Sequence, residues 1–208
     1  MKHLPNVLTI GRMIAAPVSL YLLWIGTFWA QFGGTLLFVL AAISDYYDGH
    51  LARKYDVSSR FGQFLDPLAD KVLVLGTFVL LPFLEPVRTG LVAPAGAWLP
   101  WLGVGAIAVR DVAVTLLRSA YERRGRPLAT SRSAKWKTAW QLTFLITVLV
   151  FLTFSHGRVL SGLPGAVGEA LYAILLSPAP LVFLLVTAAV TVYTGAQYFA
   201  APRTGAVA

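Results

Sequence analysis

Cysteine is absent from all 208 residues, which excludes a disulfide framework and thiolate metal ligation. Charge is scarce as well: Asp, Glu, Lys and Arg make up 12% of the chain, against roughly 25% in soluble domains. Asparagine occurs once, at Asn6, and methionine twice, a depletion compatible with a thermophilic source. No repeat, low-complexity tract or long polar linker interrupts the sequence, so a single domain over 1–208 is expected. The opening Met1-Lys2-His3-Leu4-Pro5-Asn6 leads into an apolar run with no small-residue cleavage site and is expected to be retained.

What remains is apolar. The chain is 57% hydrophobic with a mean hydropathy of +0.71, the composition of an all-α integral membrane protein. Uncharged stretches cover 13–32, 33–44, 72–84, 89–109, 138–155 and 170–202. A spanning helix needs about 20 mostly apolar residues, so six transmembrane helices are predicted after a short N-terminal interfacial segment over the first 12 or so residues. Span 2 is expected over 33–54, span 3 over 66–84, and span 4 from near Trp98 past Arg118, with a loop over 155–168 and a helix break at Ser177-Pro178-Ala179-Pro180. With both termini cytoplasmic, fifteen of the seventeen Lys and Arg residues fall on the cytoplasmic side, and only Arg88 and Arg158 fall opposite. By the positive-inside rule this orients a multi-pass protein of the cell (inner) membrane. No nucleic-acid partner is expected, since the basic excess is accounted for by topology.

Four carboxylates stand out in this background: Asp45, Asp48, Asp66 and Asp70. A charged side chain at membrane depth costs at least ~2.5–3.5 kcal/mol on insertion scales, so four acids within 26 residues require a compensating cation or a function. On a helix, Asp45, Asp48, Gly49 and Ala52 share one face, and Asp66 and Asp70 are one turn apart. The link between these segments is short, so two antiparallel neighbouring helices are predicted to turn their acidic faces toward each other. Such hard oxygen donors suit Mg²⁺ or Mn²⁺, and four can hold two ions. Mg²⁺ completes its shell with waters and substrate phosphates, which favours a phosphate-bearing substrate. Gly49 and Ala52 clear a groove beside the acids. The intervals place the cluster at the cytoplasmic edge of the bilayer, facing the cytoplasm, at the depth of lipid phosphates.

The run Asp45-Tyr46-Tyr47-Asp48-Gly49-His50-Leu51-Ala52-Arg53, then Gly62, Asp66 and Asp70, resembles the signature of the CDP-alcohol phosphatidyltransferases at all eight specified positions. The resemblance implies a membrane enzyme joining a CDP-linked lipid, here CDP-diacylglycerol, to a small alcohol at a two-metal site with release of CMP. It implies Asp45, Asp48, Asp66 and Asp70 as metal ligands, with Asp70 also the base that takes the proton of the attacking hydroxyl. It further implies Gly49, Arg53, Ser59 and Gly62, together with Leu8, Thr9, Ile10 and Gly11, around the CDP-lipid.

The acceptor must be read elsewhere. The segments 4–12, 110–118 and 135–141 resemble those family members whose acceptor is glycerol 3-phosphate, so that the resemblance covers the first 140 or so residues, while the final third reads as generic apolar helix. Arg110 and Arg118 are two turns apart on one face, and Lys135 and Lys137 open the next helix. These four cations are the candidate site for a phosphorylated acceptor, where arginine would give bidentate contacts; the bland alternative is that they snorkel at the interface. Asp111 is expected to pair with a neighbouring cation. His3, His50 and His156 are not expected to be ligands, and the Trp and Tyr residues are expected to be interfacial anchors. Tyr193 to Phe199 could serve a homodimer contact or a lipid groove. Inositol 1-phosphate is the alternative acceptor. A divalent-cation transporter is the remote alternative, disfavoured because the acids gather at one edge.

Overall fold

The computed structural model describes residues 4–55, 60–124, 132–156 and 165–200. Within these, the side chains of 4–10, 45–55, 60–68, 70, 118, 122–123, 132–135 and 198–200 lie outside the description. The described chain is helical: α1 Leu4–Ile25, α2 Phe28–Tyr55, α3 Arg60–Leu80, a 3₁₀ turn Leu81–Phe83, α4 Val87–Val92, α5 Trp98–Arg123, α6 Arg132–Ser155, α7 Gly165–Leu176 and α8 Ala179–Ala200.

Several boundaries differ from expectation for local reasons. The first 12 or so residues, expected as an interfacial segment, are helical from Leu4 onward and continuous with the rest of α1, with Pro5 in the opening turn, where its missing N–H leaves nothing unpaired. The uncharged run 13–32 is cut at Gly26, whose φ of +76° ends α1. α2 therefore starts at Phe28, five residues earlier than predicted. α3 starts at Arg60 and stops at Leu80, because Pro82 follows in the 3₁₀ turn. Residues 165–168, expected in a loop, open α7, which ends before the predicted break at Ser177-Pro178. α5 begins at Trp98 as predicted.

α1 lies along both α2 and α3, which touch each other only briefly among the described residues. α6 contacts α2, α7 and α8, and α5 packs on α8. The centre is aromatic: Phe78 stacks on Phe144 at 5.6 Å, and Phe144 meets Phe183 edge-on at 5.0 Å, tying α3, α6 and α8 together. Buried hydroxyls join helices as well: Ser19 Oγ donates to the Gly34 carbonyl at 2.8 Å, and the Thr35 and Thr153 hydroxyls lie 2.9 Å apart, contacts of the kind that hold membrane helices together.

The outer surface is apolar. Leu36, Leu40 and Ile43 on α2, Val109, Val112 and Leu116 on α5, and Val182 and Val186 on α8 are all exposed, as a lipid-facing surface requires. Among the described residues three helices are long and apolar enough to cross a membrane, Trp98–Tyr121, Trp136–Ser155 and Ala179–Gln197, while Gly11–Ile25, Phe28–Ser44, Lys71–Phe83 and Gly165–Leu176 are shorter apolar segments. Trp24, Phe83 and Trp101 meet at one end, with ring centroids 6.2 and 5.5 Å apart. The acidic motif and most basic positions belong to the other end of the same helices, so an aromatic rim and a charged rim bound the apolar body.

Gly90 on α4 faces the end of α7, where a Cβ would clash with the Leu175 carbonyl oxygen and lie 2.7 Å from that of Ser177. Backbone on both sides leaves no flexible group to yield. Gly90→Ala is therefore expected to destabilise the fold by about 1–3 kcal/mol, read as a lower midpoint of thermal unfolding in detergent; an unchanged midpoint would refute this packing.

Candidate active site

The acidic motif occupies two helices. Residues 45–55 form the end of α2 and 60–70 the beginning of α3, so helical register puts Asp45, Asp48, Gly49 and Ala52 on one face, and Asp66 and Asp70 one turn apart on another. Their side chains lie outside the described residues, as do those of Leu8, Thr9, Ile10, Arg53, Arg118 and Lys135, while Gly62 lies in the first turn of α3. Ser59 lies outside altogether. Gly11 is exposed with open space around its α-carbon. Among the described residues no other cluster of three or more His, Asp or Glu could hold a metal. The chemistry of the motif itself, four carboxylates and no thiolate, fits Mg²⁺ or Mn²⁺.

Beyond Asp70, a polar centre emerges from the way each inner stripe of the bundle changes character. On α6 the buried apolar positions Leu152, Val148, Leu145 and Phe144 continue, at helical spacing, into buried Gln141 and Lys137. On α5 the stripe Val104, Ile107 and Val114 contains buried Asp111. On α8, Leu181, Leu184 and Ala188 give way to Thr187, Thr191 and Thr194, all buried. The apolar seam of each helix thus turns polar toward the charged rim.

These side chains converge on Asp111. Lys137 Nζ donates to its Oδ2 at 2.6 Å, and Arg110 donates to its Oδ1 at 3.3 Å. Gln141 Nε2 lies 3.5 Å from Oδ2, at the limit of a hydrogen bond, and donates to Thr191 Oγ1 at 3.2 Å. Arg110 also donates to Thr194 Oγ1 at 3.3 Å. Next to Thr194, Gly195 makes room for the arginine, because a Cβ there would sit 2.6 Å from Arg110 Cγ and 2.9 Å from its Nε. That Nε is buried with no hydrogen-bond partner. A cavity of about 40 Å³ adjoins the cluster, lined by Lys71, Asp111, Lys137, Thr138, Gln141 and apolar residues of α3 and α6.

Of the four cations predicted to bind a phosphorylated acceptor, the structure brings Arg110 and Lys137 to one carboxylate, and the expected pairing of Asp111 is present. The snorkelling alternative does not describe these two, since Lys137 is buried and Arg110 nearly so. Sequence reasoning missed Lys71, Thr191, Thr194 and Gly195. The final helix is not generic: threonines at 187, 191 and 194 recur at helical spacing, a signal that was available. Lys71 had a signal too, as the cation directly after the last aspartate. His156, not expected to be a ligand, sits with Nδ1 3.0 Å from the Leu152 carbonyl of its own helix.

The family profile described as CDP-alcohol phosphatidyltransferase matches residues 2–193. The chain is 34% identical over 204 residues to a CDP-diacylglycerol–glycerol-3-phosphate 3-phosphatidyltransferase of Rickettsia typhi, covering 98% of this chain and 99% of that one. It is 39% identical over 153 residues to CDP-diacylglycerol–glycerol-3-phosphate 3-phosphatidyltransferase 1, chloroplastic/mitochondrial, of Arabidopsis thaliana, covering 70% of this chain and 50% of that one. A cardiolipin synthase (CMP-forming) of Oryza sativa subsp. japonica is 37% identical over 150 residues, 70% of this chain and 45% of that one. The chain thus spans about half the length of the two plant relatives and nearly all of the bacterial one.

Proposed function

The chain belongs to the CDP-alcohol phosphatidyltransferase family, and from that premise we propose that it transfers the phosphatidyl group of CDP-diacylglycerol to glycerol 3-phosphate, releasing CMP and forming phosphatidylglycerophosphate. The observation that carries the choice of acceptor is the buried cluster beyond Asp70. Lys137, Arg110 and Gln141 offer many N–H donors to one carboxylate, and Arg110 Nε has no partner. A site so rich in donors is complementary to an anionic ligand with several acceptor oxygens. A neutral alcohol would leave these groups unmatched. Near-full-length similarity to a bacterial enzyme named for glycerol 3-phosphate supports the same acceptor.

In this reading the whole chain forms one membrane domain of the cell membrane. Six spans place both termini and the charged rim on the cytoplasmic side, as the distribution of Lys and Arg favours. Asp45, Asp48, Asp66 and Asp70 would hold two divalent ions, Mg²⁺ or Mn²⁺, which when bound neutralise the pyrophosphate and stabilise the leaving CMP. Gly49, Arg53, Ser59 and Gly62, with Leu8 to Gly11, bind the CDP-lipid. Arg110, Arg118, Lys135 and Lys137 receive the acceptor's phosphate and orient its free hydroxyl. As that hydroxyl oxygen bonds to the phosphatidyl phosphorus, its proton passes to Asp70. The pyrophosphate P–O bond breaks, and its electron pair leaves with CMP.

The test is CMP release by purified protein in vesicles containing CDP-diacylglycerol, assayed with glycerol 3-phosphate, inositol 1-phosphate, glycerol and inositol. Release is expected with glycerol 3-phosphate, with a loss of about 10²-fold or more under EDTA and recovery on adding Mg²⁺ or Mn²⁺. Release that ignores glycerol 3-phosphate, or that survives full metal stripping, would overturn the proposal.

A further inference from the structure

We infer that Lys71 is a specificity-determining residue of the acceptor site, a phosphate-binding cation contributed by α3 to the cavity it shares with Lys137 and Asp111. The inference rests on the acceptor reading above and extends it to a residue that lies outside the acidic signature. Three observations support it.

The first is placement. Lys71 lines the same cavity of about 40 Å³ as Asp111, Lys137 and Gln141, and it directly follows Asp70 in α3. A ligand held there is bound at the residue next to the proposed base, so its own hydroxyl is kept within reach of the chemistry. The second is charge. Asp111 already pairs with Lys137 and Arg110, so its single negative charge is oversubscribed before Lys71 is counted. Among the described residues no ion pair engages Lys71. A half-buried ammonium sharing a cavity with the Lys137 ammonium is unfavourable on its own. It becomes favourable when a dianion enters. The third is size: at roughly 10–15 Å³ per water-sized oxygen, the cavity has room for about three, the number of terminal oxygens on a phosphate monoester. A lysine point charge on a long stem suits a phosphate that must arrive and leave, whereas the arginine behind Asp111 is fixed by Thr194 of α8.

The probes are glycerol 3-phosphate and inorganic phosphate, used with the full-length metal-loaded protein. K71Q is expected to raise the KM for glycerol 3-phosphate by about tenfold or more, with kcat and the KM for CDP-diacylglycerol nearly unchanged, because a charge-assisted contact is lost. K71R is expected to recover most of the loss. Inorganic phosphate is expected to compete with glycerol 3-phosphate in the wild type, and K71Q to weaken that inhibition by a similar factor. If K71Q yields no folded protein, K71M, which keeps the unbranched stem, replaces it. Unchanged phosphate inhibition in the folded variant, or a change confined to the KM for CDP-diacylglycerol, would overturn the inference while leaving the proposed reaction standing. The reaction proposal fails separately if the wild type turns over only another acceptor, and titration of inorganic phosphate into wild type and K71Q then still decides the role of Lys71.

Discussion

Replacing Asp70 by asparagine is expected to lower CMP release by at least about 10³-fold while the protein still extracts and elutes as folded material. Loss of a positioned general base alone costs about 10²–10⁴-fold, and the same substitution removes one carboxylate from a set of four that would hold the metal ions. Asparagine keeps the size of the side chain, so helix α3 has no packing reason to move. The neighbouring residue supplies an internal control: K71Q should change the concentration of glycerol 3-phosphate required, whereas D70N should change the rate at saturation. The measurement is CMP release at saturating donor and acceptor across a range of Mn²⁺ and Mg²⁺ concentrations. A D70N protein with a tenth of wild-type activity or more at high metal would show that this carboxylate is neither base nor essential ligand.

Asp111→Ala is expected to cost stability on the scale of about 3–5 kcal/mol, because it strands Lys137 and Arg110 in the interior without their shared counter-charge. Both cations are held by Asp111 at 2.6 and 3.3 Å, and the site is nearly closed to solvent. For a chain of this size that corresponds to a fall of roughly 6–20 °C in the midpoint of thermal unfolding in detergent. The double substitution D111L/K137M strands less charge and should recover part of the midpoint without recovering activity. A single Asp111→Ala variant that melts with the wild type would mean that the cluster is solvated in solution and is not the buried network described here.

The acidic array and the buried cluster differ in how far each could be read from the chain. Asp45, Asp48, Asp66 and Asp70 are legible because a short stretch holds all four and because charge is conspicuous where it is otherwise scarce. Helical periodicity alone groups them into two faces. The Asp111 network spans α5, α6 and α8, with Gln141 and Thr191 separated by 50 residues and Arg110 and Thr194 by 84, and no local pattern states which helices meet. The pairing of Asp111 with a cation could be anticipated because a buried carboxylate demands one. Its particular partners could not. Likewise α1, read as a simple first span, packs along both helices of the acidic motif, a relation that depends on the hairpin at Gly26 and on the depth to which each helix is buried.

Composition and local spacing by themselves determined the membrane character, the helical class and the acidic motif with its hard oxygen donors, since these follow from residue type and from distances of one or two helical turns. Only the tertiary structure decided that Lys71, Arg110, Asp111, Lys137 and Gln141 gather at one level, that the last helix supplies threonines and a glycine to hold them, and that a small cavity opens between Lys71 and Lys137. The physical reason is that burial of a charge is a property of its surroundings: a lysine at a helix start reads as a surface residue until three other helices are packed around it.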